Sequence, residues 1–302
     1  MKIAMLGSVG NINSLVIPRL VADGHQVTVI SSNAARADAI RKLGATPAVG
    51  DMMDADFLTT TFTGQDTVYL MISGSSDDLF ASAQKLATIF ANAVTAADVH
   101  HVVNLSSIGA QDKRAGSLYA YHFIEDALRQ VDADVAFVRP VGFYNNLFAN
   151  MTSIRQNHAL YSNIPAATTR KYVSPADIAD VVYGVLSATP AGKSIRYVVS
   201  DTFTGSELAA ALSAALGFTV DYVAISDEQY AAGLRQAGVP EGIVVPFVQS
   251  SLLQKQPEEM YADLVNQPVH TGKLKLTDFA ATFAAAYNKD DGTARAHTVA
   301  SK

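Results

Sequence analysis

Two glycines, Gly7 and Gly10, stand between an apolar run (residues 2–6) and a helical pattern that sets Ile12, Leu15, Val16 and Leu20 on one face. The first glycine permits a tight turn. The second lets the backbone approach a pyrophosphate, whose charge rests on the free N–H groups of a helix N-terminus. The segment Gly7-Ser8-Val9-Gly10-Asn11-Ile12 is therefore read as the phosphate cradle of a dinucleotide site, with Asn13 in place of a third glycine. A purely structural turn would use the same glycines. The ligand is favoured because the turn opens the chain and a second strand–helix unit follows it. After that second strand an Asp or Glu would hold a ribose 2′-OH, and a basic group would take a 2′-phosphate. The chain offers Ser31, Ser32 and Asn33, with Arg36 one turn on. The missing acid favours NADP over NAD; Arg36 is either its phosphate contact or a solvated helix charge. Further on, Ser106, Ser107, Tyr119, Tyr121 and His122 are groups that can deliver protons. His122 is the candidate catalytic acid, because imidazole titrates near neutral pH.

These groups need elements to hold them. Strands are expected at 26–30, 45–49, 66–72, 101–105 and 134–139, separated by helices at 34–43, 54–62, about 79–96 and 117–131. The third of these helices carries Ala83, Leu86, Ala87, Phe90, Ala91 and Val94 on one face, and Asp54 is placed to cap the second. Strands alternating with helices imply an α/β fold with a doubly wound parallel sheet, whose ligands bind at the carboxyl ends of the strands. Gly7, Ser31, Gly50, the Ile72-Ser73-Gly74 exit and Ser106 all fall at such ends. Residues 1–150 are expected to form this nucleotide-binding domain. A smaller α/β region follows over 151–287: a loop-rich aromatic stretch at 141–161, a helix opened by Ser174-Pro175, strands at 195–199 and 220–225, and helices at 206–216, 227–236, 242–255 and 276–287. Residues 288–302 lack apolar periodicity and are expected to be a mobile tail.

Bulk properties narrow the class. The chain has 302 residues, enough for a full core, and 49% of them are hydrophobic, which excludes disorder. A formal charge of -6 without a basic run speaks against nucleic acid. Cysteine is absent, so neither disulfides nor a thiolate zinc site can form, and the histidines make no HExxH cluster; no metal is expected. The N-terminus is strand-like rather than a signal peptide, and no apolar stretch reaches membrane-spanning length. A cytoplasmic protein, with an oligomer left open, is the resulting expectation.

The pieces GSVGNI, VTVISSN, VGD, NLSSIGA, HFIEDALR, VRPVGFYNNL, VSPADIADVV and LTDFAATFAAAY occur in order across residues 1–287. In this order and spacing the chain resembles the NmrA-like group of atypical short-chain dehydrogenases/reductases, near its flavin-free quinone reductase branch. The resemblance implies a Rossmann domain binding NAD(P) and a C-terminal region shaping a substrate cleft. It places Asp51 and Met52 near the adenine, Ser106 and Ser107 beside the cofactor, and Phe143, Tyr144, Asn145 and Asn146 along the wall next to the nicotinamide. Reductases of the wider superfamily pair a Tyr with a Lys four residues later, the Lys lowering the Tyr pKa. Here Phe123 and Glu125 stand in those places, so the relay is missing in both registers. Tyr121 then reads as part of a packing stripe with Ile124, Leu128 and Val131, and Glu125–Arg129 as a surface ion pair. The expected activity is NAD(P)H-dependent hydride transfer to a small electron-poor acceptor, quinone-like or azo-like, with NADPH preferred and no flavin. The alternative is a non-catalytic NAD(P)-sensing regulator. A sugar-nucleotide epimerase would want the Tyr–Lys pair and is disfavoured.

Overall fold

The computed structural model describes residues 1–72 and 77–289. The expectations at Ser73 and Gly74, and for the tail from residue 290 onward, lie outside the described residues. Strands and helices alternate through the first half: β1 (Lys2–Met5), α1 (Asn13–Ala22), β2 (Gln26–Ser31), α2 (Ala37–Lys42), β3 (Thr46–Val49), α3 (Ala55–Phe62), β4 (Thr67–Met71), α4 (Leu79–Ala96), β5 (His101–Leu105), α5 (Ala120–Arg129) and β6 (Asp134–Pro140). The second half adds β7 (Gly142–Phe143), α6 (Met151–Asn157), β8 (Ala159–Ser162), β9 (Thr169–Val173), α7 (Pro175–Ser187), β10 (Lys193–Val199), β11 (Asp201–Thr204) and α8 (Gly205–Leu216). It closes with β12 (Asp221–Ala224), α9 (Asp227–Gln236), α10 (Glu241–Gln254), α11 (Pro257–Met260), β13 (Val269–Thr271) and α12 (Leu276–Lys289).

Eight strands form one parallel sheet in the order β13-β10-β6-β5-β4-β1-β2-β3. The direction in which the chain adds strands reverses between β1 and β4, which opens a crevice at their carboxyl ends. This is the expected doubly wound Rossmann arrangement. Alternation along each strand feeds two cores. Ile3 and Met5 of β1 face α1 and α7, among Val16, Ile17, Leu20, Ile178 and Val182. Ala4 and Leu6 face α4 and α5, among Leu86, Phe90, Val94, Ile124 and Leu128. Each such side chain, fully buried, stabilises the fold by ~1.5–3 kcal/mol, which is why the short strands hold their register. A third core belongs to the second half, where Tyr144, Tyr172, Phe203 and Phe279 stack with ring planes 5–15° apart.

Two departures from the sequence reading have physical causes. The helices expected to start at residues 34 and 117 begin as 3-10 turns over 34–36 and 113–119, each capped by an Asn or Asp one residue earlier. The sheet also crosses the boundary expected at residue 150, since β10 pairs with β6 and β13 with β10, while α7 packs against α1. Asp177 secures that return. Its carboxylate accepts from Ser200 Oγ (2.5 Å), Ser174 Oγ (3.2 Å) and the Lys273 and Leu274 N–H groups (2.9 and 3.2 Å). Gly272 is required beside it, because a Cβ there would collide with the carboxylate. The VSPAD motif is thus a clamp between α7 and the loop after β13. The loop-rich stretch expected at 141–161 is more ordered than its sequence suggests: β7, a 3-10 turn over 144–150, α6 and β8 occupy it.

Candidate active site

The turn after β1 is built by backbone geometry and one amide. Gly7 has φ +96°, and a Cβ on it would lie 2.5 Å from Met71 Sδ at the end of β4. Gly10 N–H bonds back to Gly7 O (3.2 Å), and a Cβ on Gly10 would sit 3.1 Å from that same oxygen. Asn13, where a third glycine was looked for, donates Nδ2 to Leu6 O (2.8 Å) and Ser8 O (2.9 Å) and so ties the turn to the strand. No side chain caps the helix start at Ile12. Among the described residues the N–H groups of Asn11, Ile12 and Asn13 take no partner. These donors and the narrow glycine turn fit a pyrophosphate. Ser8, at φ +50°, donates its hydroxyl to Ser31 Oγ (3.1 Å), joining the turn to the end of β2, and Val9 packs against the apolar core below.

At the end of β2, Ser31 Oγ also bonds within its own turn to Asn33 O and Asn33 N (both 3.2 Å), and Asn33 caps the 3-10 turn through Ala35 N (2.9 Å). Ser32 and Arg36 are exposed, and Arg36 has no ion-pair partner among the described residues, so its charge is open to a ligand. Asp51 accepts from Met53 N (2.9 Å) and shapes its own loop; Met52 and Ile72 rest on the core. Gly7, Ser8, Ser31, Ile72 and Ser107 thus come to strand ends along one edge of the sheet.

The groups proposed for proton handling are distributed differently. Ser106 is 2% exposed, and its hydroxyl donates to Glu125 Oε1 at 2.5 Å, so it faces α5 rather than open space. Glu125 is also 2% exposed, which corrects the expectation of a surface ion pair. Arg139 grips it with Nε (2.8 Å) and Nη2 (2.6 Å), Arg129 adds Nη2 (2.9 Å), and Arg139 Nη1 reaches Tyr197 OH (2.8 Å) and Asp263 (3.3 Å). Burial would raise the Glu125 pKa, but hydrogen bonds and charge from Arg139, with Ser106 and Arg129, outweigh it and hold the carboxyl below the usual range. The Lys position of a Tyr–Lys relay is therefore filled by an inward-turned, neutralised anion.

Tyr121 is half-buried, and burial raises its pKa. Burial also drives the neighbouring Tyr69 hydroxyl far up, with Tyr121 contributing through space. A relay tyrosine needs the opposite direction. His122, in the first turn of α5, stacks on Tyr119 (4.5 Å between centroids, 13°) in a groove of ≈ 390 Å³ on the flank of α4 and α5, beside Gln84, Thr88 and Asp126. Tyr144, expected along the wall next to the nicotinamide, is buried instead. At 2% exposure it lies inside the aromatic stack of the second half, while Phe143 packs at the sheet edge and Asn146 is exposed. Above the edge, α10 closes on the 113–119 segment, where Gly116 lies against Pro246 and Ser250, and Gly242 bridges to Asp78.

Sequence reasoning missed Arg139, Tyr197 and Asp263. One indication was available: Arg139 lies in the otherwise apolar residues 135–140 of β6, and a charge there needs a buried partner. No cluster of His, Asp and Glu among the described residues could hold a metal, and no described helix is long and apolar enough to cross a membrane.

Comparison with known proteins shows what the chain is similar to. The chain is 28% identical over 293 residues to an NAD(P)H azoreductase of Xenophilus azovorans, covering 94% of this chain and 99% of that one. It is 27% identical over 247 residues to quinone oxidoreductase 2 of Escherichia coli, covering 80% and 84%. The crystal structure of the NADPH-dependent quinone oxidoreductase of Escherichia coli complexed with NADPH superposes with a TM-score of 0.77 at 22% identity, over 93% of this chain and 99% of that one. A family model described as NAD(P)H-binding matches residues 7–189, more than half of the chain and the whole run from the glycine turn through α7. The chain is a member of the NAD(P)H-binding Rossmann family.

Proposed function

We propose that the protein is an NAD(P)H-dependent oxidoreductase that reduces small electron-poor acceptors, quinone-like or azo-like, without flavin. The observation that carries the reading is a glycine turn with open N–H donors, in a sheet where Glu125, braced by Ser106 and Arg139, stands four residues after Tyr121 in place of a lysine. The names of the azoreductase and quinone oxidoreductase relatives support the same acceptor class. NADPH is the preferred donor: β2 ends without an acid, and Arg36 is exposed and unpaired among the described residues. The cradle residues are Gly7, Ser8, Val9, Gly10, Asn11 and Ile12, with Ser31, Ser32, Asn33, Arg36, Asp51, Met52 and Ile72 along the adenosine side. Bound NADPH would supply the hydride. The chain's own residues bind and orient, and the 144–172 and 200–287 regions shape the acceptor cleft above Phe143 and Asn146.

The missing relay supports this acceptor class. Reducing a ketone leaves a strongly basic oxyanion that needs a positioned acid, and such help contributes ~10²–10⁴-fold. Reducing a quinone leaves an anion delocalised into the ring, which takes its proton from water. The test is calorimetric titration with NADPH and NADH, followed by NADPH oxidation with a panel of quinones and azo dyes. Saturable NADPH binding with quinone turnover supports the reading. Binding without turnover of any acceptor would favour a cofactor-sensing regulator, and no binding would remove both.

A further inference from the structure

Strand β9 is the middle strand of the small sheet β11-β9-β7, and its parallel pairing with β7 sets Tyr172 level with Gly142 and Val173 with Phe143. Arg170 precedes Tyr172 by two residues, about 7 Å along the strand, and shares its face. Its guanidinium lies over the Tyr172 ring at 5.0 Å. It donates Nη2 to Gln254 Oε1 (2.9 Å) at the end of α10, and Gln254 Nε2 donates on to Ser250 Oγ (3.2 Å), next to Gly116. The arginine thus reaches from β9 to α10, the helix that closes over the carboxyl edge. Among the described residues, the arginines that are not exposed are Arg129, Arg139 and Arg170. The first two have Glu125 as counter-charge; Arg170 forms no ion pair among the described residues. Lys255, one residue after Gln254, is matched by Asp227 at 2.7 Å. Burial pushes the hydroxyls of Tyr172, Tyr230 and Tyr261 up, and the Arg170 charge pulls all three the other way. Three phenol rings therefore gather around one unmatched cation.

We propose that Arg170 selects the acceptor by charge: between β9 and α10 it receives an anionic substituent, sulfonate or carboxylate, carried by an aromatic acceptor. The inference rests on the proposed reductase function and narrows its substrate class. A half-buried charge without a partner is unfavourable, and a ligand anion that meets it relieves that penalty. Gln254 takes one donor of the guanidinium, and the rest of its planar fork has no hydrogen-bond partner among the described residues. That fork matches two oxygens of a carboxylate or sulfonate at once. The tyrosine rings beside it suit the flat body of an aromatic molecule. The same charge repels a cationic acceptor, so selection works in both directions. Arg170 meets the substituent rather than the atoms that take the hydride, so it acts on binding and leaves the hydride step as it is.

The probes are a naphthoquinone sulfonate and the matching sulfonamide, alike in size and different in charge. The unmodified protein, loaded with NADPH, is expected to show a KM ~10-fold or more lower for the sulfonate, the scale of one charge-assisted contact. The gap should narrow as ionic strength rises. Arg170→Gln should raise KM for the sulfonate by ~10-fold and change its kcat by less than about twofold, with the sulfonamide and NADPH affinity unaffected. Arg170→Lys keeps the charge without the fork and should restore part of the preference. Lys171→Gln should keep it whole, because that side chain leaves β9 on the opposite face and reaches Thr202 Oγ1 (3.3 Å). An equal KM rise for both probes in Arg170→Gln would reduce Arg170 to packing and overturn the proposal. A preference lost in Lys171→Gln with Arg170→Gln silent would overturn it too. Should Arg170→Gln fail to fold by thermal melting, Arg170→Lys decides, through a loss confined to the sulfonate or shared by both probes. Turnover of both probes without preference in the unmodified protein removes this inference alone. No turnover of any quinone by the NADPH-binding protein would instead remove the reductase reading and this inference with it.

Discussion

The carboxyl ends of β1 and β5 lie two strands apart in one sheet and handle polarity in opposite ways. At β1 the side chains organise the backbone and leave it open: Asn13 and Ser8 pin the turn, and the N–H groups of Asn11, Ile12 and Asn13 have no partner among the described residues. At β5 the polar groups satisfy one another, from Ser106 through Glu125 and Arg139 to Tyr197 and Asp263. An open set of donors is a site for an anion; a closed set of charges is a brace. The difference teaches that cofactor binding and proton delivery are separable within one Rossmann sheet, and that this chain keeps the first without the superfamily's relay.

The largest effect is expected from breaking the brace. Glu125→Ala leaves Arg139 buried without its counter-charge and should cost about 3–5 kcal/mol of stability, read by chemical denaturation. The pH dependence has a definite sign. Glu125 and Asp177 both have pKa values held below the usual carboxylate range in the folded state. Their stabilisation is therefore complete above the unfolded value of about 4 and lost as pH falls through the folded values. Glu125→Gln should flatten that acid limb, and a limb of unchanged steepness would show that the Glu125 pair does not contribute to it.

Opening the comparison from the other side gives the next effect. Gly10→Val places branched carbons where Cβ is already 3.1 Å from Gly7 O, on the face the pyrophosphate must approach. NADPH affinity should fall by ~100-fold or more in calorimetry, equivalent to about 2.7 kcal/mol, with a melting temperature near that of the unmodified protein. Undiminished binding would place the cofactor elsewhere. A smaller effect is expected from Arg36→Ala. It should narrow the NADPH-over-NADH preference by roughly tenfold, the scale of one exposed charge-assisted contact, and leave NADH affinity alone. Equal affinities in the unmodified protein would end the NADPH preference.

What the sequence revealed follows the same division. The β1 turn was legible because its information is local: a short apolar strand, two glycines and a helical stripe lie within about twenty residues. The alternation of strands and helices through β6 was legible for the same reason. The β5 brace was not, because Glu125 and Arg139 are fourteen residues apart and Tyr197 and Asp263 much further. Only the sheet order brings them together. Glu125 looked like a surface partner of Arg129 since i,i+4 spacing is visible in a sequence and burial is not. Tyr144 looked like cleft wall because an aromatic–amide run does not say which ring turns inward. Strands β9, β11 and β13 escaped notice because they are short and polar, and their places are set by β10 and the aromatic core rather than by their own pattern.

The central claim is that a working cofactor cradle sits beside a site without a positioned acid. It is tested most directly by giving the NADPH-loaded protein a quinone and an aliphatic ketone of similar size and comparing kcat/KM. The account predicts turnover of the quinone and a ratio above ~10² over the ketone, the lower bound of what general acid help contributes, with Tyr121→Phe costing little on the quinone. Ketone reduction at a comparable rate, abolished by Tyr121→Phe, would contradict it.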